Sequence, residues 1–185
     1  DLPLLRDIAQ EMVKAGNIER ALKIAHGIKS PSSRSWMLWQ IAGVTAGERK
    51  FEQAIQIASS IVHTPERSRA FYEIVREMAR AKLFDQAVKV AQKIEDPSMH
   101  SLAIRWIAEE ASKAGLYEQA IRIAKSVKHV DYRSLALRCV AEEMTETGLF
   151  EQAFEIAKAI EDPIRRLQAL AAIVLGIRKE VSVTG

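Results

Sequence analysis

Apolar residues along this chain follow the 3.6-residue period of amphipathic helices, in segments that recur every 33 residues. The clearest stripe consists of Tyr117, Ala120, Ile121, Ala124 and Val127. Its spacing of three, four, seven and ten residues from the first position places all five on one face of a helix. The apolar positions from Leu102 to Ala111 predict a preceding helix, which Gly115 ends with a left-handed cap. The pattern therefore predicts a repeated helical hairpin, with a first helix A and a second helix B.

The repeat register contains no gaps. Two columns are alanine in all five copies: Ala21, Ala54, Ala87, Ala120, Ala153 and Ala25, Ala58, Ala91, Ala124, Ala157. The pairs Asp96-Pro97 and Asp162-Pro163 place an N-cap acceptor before a proline, and Ser30-Pro31 and Thr64-Pro65 have the same pattern. These signals predict helix pairs over about 3–28, 31–61, 65–94, 97–127 and 131–160, followed by a terminal helix over 163–178.

Helix pairs with alanine at every close crossing stack on their neighbours without long-range strand pairing. The predicted fold class is therefore all-α: a solenoid of five helix-turn-helix repeats plus a terminal helix, about 11 helices in all. No Pro- or Gly-rich linker interrupts the register. We therefore expect residues 1–185 to form a single domain.

The repeat resembles the tetratricopeptide (TPR) family. The glycine and aromatic residue that precede the family's second helix are matched by Gly115 and Tyr117, and again by Gly148 and Phe150. The family's positions on the first helix are matched by Ile104, Ile107, Ala108 and Ala111. Helix B departs from the family pattern, since alanine replaces its aromatic residue and the period is 33 rather than 34. The resemblance implies a right-handed α-α superhelix whose A helices line a concave binding surface.

Composition narrows the function classes. The chain is 48% hydrophobic and carries a formal charge of +3, which is too mild to indicate nucleic-acid binding by itself. Its longest apolar run, 169–177, is far shorter than the roughly 20 residues that span a bilayer. A single cysteine and no signal-peptide pattern favour a cytoplasmic protein. A single asparagine and 28% charged residues favour a heat-stable source.

The sequence lacks the motifs of a catalytic or cofactor site. It contains no phosphate-binding glycine loop and no paired-histidine metal helix. His63 and His129 share a repeat column, but they lie two repeats apart, too far to hold one metal ion. We therefore expect a non-enzymatic protein without cofactor or metal.

One arginine column recurs with the repeat. It comprises Arg34, Arg67, Arg133 and Arg166, with His100 in the remaining position. Such a column can form a ladder for phosphate groups, or it can bond carbonyls and carboxylates such as Glu95 and Glu161 at the turns between repeats. Because the column repeats in step with the fold, we favour the structural role.

Residues that lie on the expected binding face without repeating are better candidates for recognition. These are Trp36, Trp39, Arg69, Tyr72, Arg76, Arg105 and Arg138. Aromatic and arginine side chains often carry most of the binding energy in protein recognition. We expect them to bind a peptide or protein partner with acidic groups. Single-stranded RNA, stacked on the aromatics, is the alternative partner, and the tryptophans can instead fill a packing gap between repeats two and three.

The terminal helix differs from the earlier A helices. It carries Ala171, Ala172 and Leu175 where the preceding A helix has Arg138, Cys139 and Glu142. Terminal repeats normally present a polar outer face, so we expect a cover over residues 164–177. The candidates are a second copy of the chain, the tail 178–185 folded back, and residues of a longer protein. We favour a homodimer.

Overall fold

The computed structural model describes residues 2–184, with side chains for residues 4, 5 and 7–182. Within this range the chain forms eleven helices and no strand. They are α1 (Leu2–Lys14), α2 (Ile18–Gly27), α3 (Pro31–Gly47), α4 (Phe51–Ser59), α5 (Thr64–Arg80), α6 (Phe84–Ala91), α7 (Pro97–Lys113), α8 (Tyr117–Lys125), α9 (Val130–Glu146), α10 (Phe150–Lys158) and α11 (Pro163–Thr184). The odd-numbered helices through α9 are the predicted A helices and the even-numbered ones the B helices. The all-α helical-repeat fold class is confirmed.

The predicted end of the terminal helix was wrong. We expected it to end near Arg178, but α11 continues to Thr184. No glycine or proline follows Gly176 before Gly185, so nothing in this stretch stops the helix. Residues 178–184 extend the axis of α11 and do not fold back over it.

Side-chain caps start several A helices as predicted. The Ser30 hydroxyl accepts a hydrogen bond from the Ser33 amide at 3.4 Å, and the Asp96 carboxylate accepts one from the Met99 amide at 2.7 Å. Thr64 is an exception. The N-cap of α5 is His63, which makes no capping bond, while the Thr64 hydroxyl accepts a hydrogen bond from the Arg67 guanidinium. Proline near the start supports α5 without a side-chain cap.

A left-handed residue follows every described A helix that leads into a B helix. The positive φ angles are 81° at Gly16, 58° at Arg49, 61° at Lys82, 75° at Gly115 and 78° at Gly148. These five positions are 33 residues apart, so the turn is the same in every hairpin. Its backbone favours glycine, because a Cβ atom in this conformation approaches the following carbonyl oxygen.

The chain divides into two compact units, Asp1–His100 and Ser101–Gly185. In the first unit α3 packs against α1, α2, α4 and α5, which gives the neighbour-on-neighbour stacking expected of helical repeats. Met37, Ile41 and Ile74 are fully buried in its core. The alanine columns are also buried, with no exposed surface at Ala54 or Ala58, and this lets the helices approach closely.

The second unit is built in the same way. α9 packs against α8, α10 and α11. Val140 and Ile160 have no exposed surface, and Val127 is 1% exposed. Among residues 2–184, none of the helices combines the length and the apolar content that crossing a membrane requires.

Candidate functional site

The centre of the candidate site is a contact between α3 and α5 in the first unit. The indole nitrogen of Trp39 donates a hydrogen bond of 3.0 Å to the Oε1 atom of Glu73. Gly43, one helical turn beyond Trp39, leaves the space that the other carboxylate oxygen occupies, because a Cβ atom at this position would collide with Glu73 Oε2. A glycine inside a helix lowers helix stability, and here it admits the Glu73 carboxylate beside the Trp39 indole.

Two arginines of α5 lie against the aromatic rings. The guanidinium of Arg69 lies 5.3 Å from the centre of the Trp39 ring, and that of Arg76 lies 5.9 Å from the centre of the Tyr72 ring. These distances are within the range of cation–π attraction. The group formed by Trp39, Arg69, Tyr72, Glu73 and Arg76 is called the Trp39 cluster below. Its aromatic rings are half-buried and Arg69 is exposed, so the cluster presents both ring and charge to the outside.

The electrostatics of the cluster combine a half-buried carboxylate with two cations. Burial raises the pKa of the Glu73 carboxyl above its usual value, while the Trp39 hydrogen bond and the Arg76 charge act in the opposite direction. Arg69 and Arg76 outnumber the single carboxylate that the cluster contains. These two cations and the half-buried Glu73 carboxylate thus share one surface with the aromatic rings, and Glu77 is a further carboxylate near Glu73.

Arg105 and Arg138 lie in a different setting. Both belong to the second unit, where Arg105 pairs with Glu109 at 3.2 Å and Arg138 pairs with Glu142 at 2.6 Å. Each pair lies within one helix, four residues apart. The structure thus brings together four of the seven predicted site residues in the Trp39 cluster, and Trp36 lies half-buried one turn before Trp39 on α3. The other two are neutralised by carboxylates of their own helices.

Lys113 adds a second cation to the Glu109 region, where it binds Glu109 at 3.0 Å and Glu110 at 3.1 Å. Close by, burial and the neighbouring Glu146 raise the pKa of the Glu143 carboxyl. Burial and the charge of Glu109 likewise raise the pKa of the Cys139 thiol. A raised pKa keeps the thiol protonated and poorly nucleophilic.

Three members of the arginine column, Arg34, Arg67 and Arg133, have the structural role that we favoured, and Arg34 donates a hydrogen bond of 3.3 Å to the carbonyl of Ile28. Arg67 donates one hydrogen bond of 2.7 Å to the carbonyl of Ile61 and another of 2.7 Å to Glu95. Arg133 repeats the arrangement, with 2.7 Å to the Val127 carbonyl and 2.6 Å to Glu161. These guanidinium groups join the end of one hairpin to the start of the next, so their charge is already used within the fold.

His100 takes the place of arginine in this column. Its Nδ1 atom lies 2.8 Å from the carbonyl oxygen of Ala91, and a hydrogen bond there requires that Nδ1 carry the proton. The shorter side chain thus bonds the carbonyl three residues before the one that an arginine reaches. In the part of the chain that the structure describes, no group of three or more His, Cys, Asp or Glu side chains is arranged to hold a metal ion.

Two residues with side-chain contacts in these regions were not predicted from the sequence: Glu73 on α5 and Trp106 on α7. Glu73, the hydrogen-bond partner of Trp39, was overlooked because it belongs to a column that also contains Gln40, Trp106 and Cys139 and has no repeated chemistry. Trp106 is half-buried on α7, with the Lys113 ammonium 5.9 Å from its ring centre. The available signal for Glu73 was Gly43, since a glycine inside helix A beside a tryptophan indicates that a neighbouring side chain needs the space.

The predicted oligomerisation residues lie on α11 with unequal exposure. Leu175 is 64% exposed and Ala171 is also exposed, whereas Ala172 is half-buried. On the inner side, a Cβ atom at Gly176 would crowd Thr145 and Phe150. α11 thus has one face against α9 and α10 and another that no described residue covers.

Comparison with known proteins found no matching family model and no matching curated protein. Among solved structures, the chain is similar to a single-residue variant of the nearly identical TPR-like repeats of a Podosopora anserina protein assigned to the kinesin light chains. That match has 14% identity and a TM-score of 0.46, and it covers 96% of each chain. The chain is also similar to an ArsTM double mutant of MamA RS-1, with 15% identity, a TM-score of 0.42 and coverage of 98% of this chain and 97% of that one. Ton1535 of Thermococcus onnurineus NA1 matches at 17% identity with a TM-score of 0.36, over 93% of this chain and 58% of its own length.

Proposed function

We propose that this chain is a non-enzymatic protein-interaction scaffold that binds an acidic peptide segment of a partner protein at the Trp39 cluster. The observation that carries the proposal is the Trp39 indole, which Glu73 holds at its edge and Arg69 contacts at its face. A fixed aromatic ring loses little conformational entropy when a partner packs on it. Trp39 is therefore the anchor of the site.

The charges of the cluster support an acidic partner. Arg69 is exposed beside Trp39, and Arg76 lies beside Tyr72. A partner carboxylate bound by either guanidinium would form a charge-assisted hydrogen bond, and an adjacent apolar side chain of the partner would pack on the rings. Arg105 and Arg138 remain candidates for partner contact. They contribute only where the partner displaces Glu109 or Glu142.

Selection of peptides from a random displayed library on the immobilised chain tests this function. We expect enrichment of sequences that place Asp, Glu or a free carboxyl end beside an apolar residue. Binding of the enriched peptides, measured by fluorescence anisotropy, should weaken at least tenfold in the Arg69→Gln/Arg76→Gln double variant. A matched control is Arg20→Gln, because Arg20 is an exposed cation on α2 of the same unit.

Two results would overturn the proposal. One is equal binding of the selected peptides by the double variant and the control. The other is binding of single-stranded oligonucleotides in preference to peptides, with an affinity that falls steeply as salt rises, since phosphate contacts release counterions.

A further inference from the structure

We propose that the outer face of α11 is a docking site for an acidic amphipathic helix of another protein. Six of the twelve large apolar residues that are exposed in the described part of the chain lie on this helix. They are Ile164 (70% exposed), Leu167 (68%), Val174 (62%), Leu175 (64%), Ile177 (43%) and Val181 (67%). Single exposed apolar residues are ordinary, but a contiguous set on one element indicates an interaction surface.

The spacing of these residues shows that they form one stripe. Ile164, Leu167, Ala171, Val174, Arg178 and Val181 are separated alternately by three and four residues. This is the pattern by which one helix packs lengthwise along another. Five of the six positions are apolar. The face called the α11 stripe below consists of these six residues together with Leu175 and Ile177.

The repeat itself shows what kind of element covers such a face. Thirty-three residues before Leu167, Val174 and Ile177, α9 carries Ser134, Ala141 and Met144, which are 1%, 0% and 4% exposed. The Ser134 hydroxyl accepts a hydrogen bond of 3.2 Å from the amide of Asp162, in the turn that follows α10. The equivalent face of α9 thus lies against the helix and turn that follow it. The matching occupant of the α11 stripe is a helix.

The charges beside the stripe favour an acidic partner over a second copy of the chain. On α11 itself Arg166, Arg178 and Lys179 are exposed, with Glu180 as its one exposed carboxylate, and Glu142 and Glu146 of α9 line the same cavity as Lys179. Arg165 is already paired, with Asp162 at 2.9 Å and Asp131 at 3.7 Å. In a pair of α11 helices, the three exposed cations of each copy would face a surface that carries the same three cations and only one carboxylate, Glu180. Like charges across such a contact are unfavourable.

The side-chain sizes indicate which helix fits. α11 has Leu167 and Val174 where α9 has serine and alanine. A partner helix therefore needs small residues opposite them to pack without voids or clashes. α10 packs against α9 and carries Ala153 and Ala157, both fully buried, together with Glu151 and Glu155. A peptide of this type, with small residues four apart and an acidic flank, is the expected ligand class.

The test uses the whole chain and two synthetic peptides that span residues 148–160, each with capped termini and a fluorophore. The acidic probe carries Lys158→Glu, and its charge-reversed twin carries Glu151→Lys and Glu155→Lys. We expect saturable binding of the acidic probe by anisotropy, with a gain of helical circular dichroism, and binding at least tenfold weaker for the twin. These peptides are not designed to reach the Trp39 cluster, so their binding is independent of it.

Chain variants locate the binding. Leu167→Glu and Val174→Glu replace exposed side chains, so both variant proteins should stay folded. Each variant should bind the acidic probe at least tenfold more weakly than the original chain does. Val62→Glu is the matched control, since Val62 is 73% exposed in the first unit, and it should bind as the original chain does. Absence of saturable binding, equal binding of both peptides, or unchanged binding by the α11 variants would overturn the proposal.

Sedimentation velocity over a hundredfold range of concentration tests the homodimer that the sequence led us to expect. We expect the mass to stay monomeric. A concentration-dependent dimer that Val174→Glu abolishes would assign the α11 stripe to a second copy of the chain and overturn the proposal in that way.

Discussion

Trp39 and Glu73 are joined across α3 and α5 by a hydrogen bond of 3.0 Å from the indole nitrogen to the carboxylate. The pair turns a packing contact between neighbouring repeats into a fixed orientation of an aromatic ring. Because the bond uses the edge of the indole, part of the ring remains accessible beside Arg69. A single contact therefore contributes both to the cohesion of the first unit and to the surface proposed for partner binding.

Glu73→Gln should stabilise the chain by a margin that grows with pH. Burial raises the pKa of Glu73 above its ordinary value of 4.5, so the folded chain holds this proton more tightly than the unfolded chain. The contribution of the carboxyl to stability is therefore present below that value and is lost as pH rises through the folded pKa. Glutamine keeps an acceptor for Trp39 without a charge. Urea unfolding of both proteins at several pH values from about 4 to 7 measures the margin.

The matched control is Glu52→Gln, which removes one negative charge from an exposed position of α4. A Glu73→Gln margin that is constant over this pH range, or that shrinks as pH rises, would contradict the electrostatic account of the cluster.

Gly43→Ala should damage the Trp39 cluster while Gly47→Ala should not. A Cβ atom at Gly43 would collide with the Glu73 carboxylate, whereas one at Gly47 meets nothing within 4 Å. Both glycines lie in α3, where alanine gains up to about 1 kcal/mol of helix propensity. We expect Gly47→Ala to be stabilising. Gly43→Ala should lose this gain and alter the fluorescence of Trp39 by displacing Glu73. Equal melting temperatures and identical emission spectra for the two variants would refute the close contact.

Lys82→Gly should stabilise the first unit. Lys82 has a φ of 61°, and Gly115 in the equivalent turn has a φ of 75°. A left-handed conformation is unfavourable for an L-residue by roughly 1–2 kcal/mol, and the greater freedom of glycine in the unfolded chain offsets part of the gain. A net increase of about 0.5–1 kcal/mol in the free energy of unfolding is expected. Gly115→Ala supplies the reverse test and should be destabilising, so the same sign for both changes would disprove the argument.

Ile94→Ala and Trp39→Ala should differ in their effects on stability and on peptide binding, because Ile94 belongs to the core and Trp39 to the proposed binding surface. Ile94 is 5% exposed, and its truncation leaves a cavity, with an expected loss of about 2–5 kcal/mol. Trp39 is only half-buried, so its truncation should reduce stability less and should abolish binding of the selected acidic peptides. Thermal unfolding and anisotropy on both variants check this. If Trp39→Ala unfolds the chain as readily as Ile94→Ala does, Trp39 is a core residue and not an anchor.

Most of the fold was predictable because the repeat carries its own signals. The buried alanine columns recur every 33 residues, proline marks the start of four A helices, and glycine occupies three of the five equivalent turns, so each copy reinforces the interpretation of the others. The end of α11 was not predictable in this way. The repeat supplied no stop signal after Gly176, and the polar stretch from Arg178 to Thr184 is equally compatible with a loop.

The candidate site was predictable only in its residue types. The sequence identified Trp39 and Arg69 as non-repeating residues on a common face, and the structure places them in contact. It did not reveal Glu73, because pairing between neighbouring A helices depends on their relative rotation and not on spacing along one helix. Nor did it reveal that Glu109 and Glu142 neutralise Arg105 and Arg138, although a separation of four residues is the usual signal for such pairs.

The side-chain bridges between hairpins have a consequence for how the chain folds. Trp39 reaches Glu73 across 34 residues, Arg67 reaches Glu95 across 28, and Tyr117 reaches Thr147 across 30. Each bridge spans about one repeat, so its formation closes only a short loop of chain. Folding dominated by contacts of such low sequence separation is fast and begins at any well-packed pair of neighbours. A nascent chain can therefore complete the Trp39 cluster once α5 has been synthesised, before the rest of the protein exists.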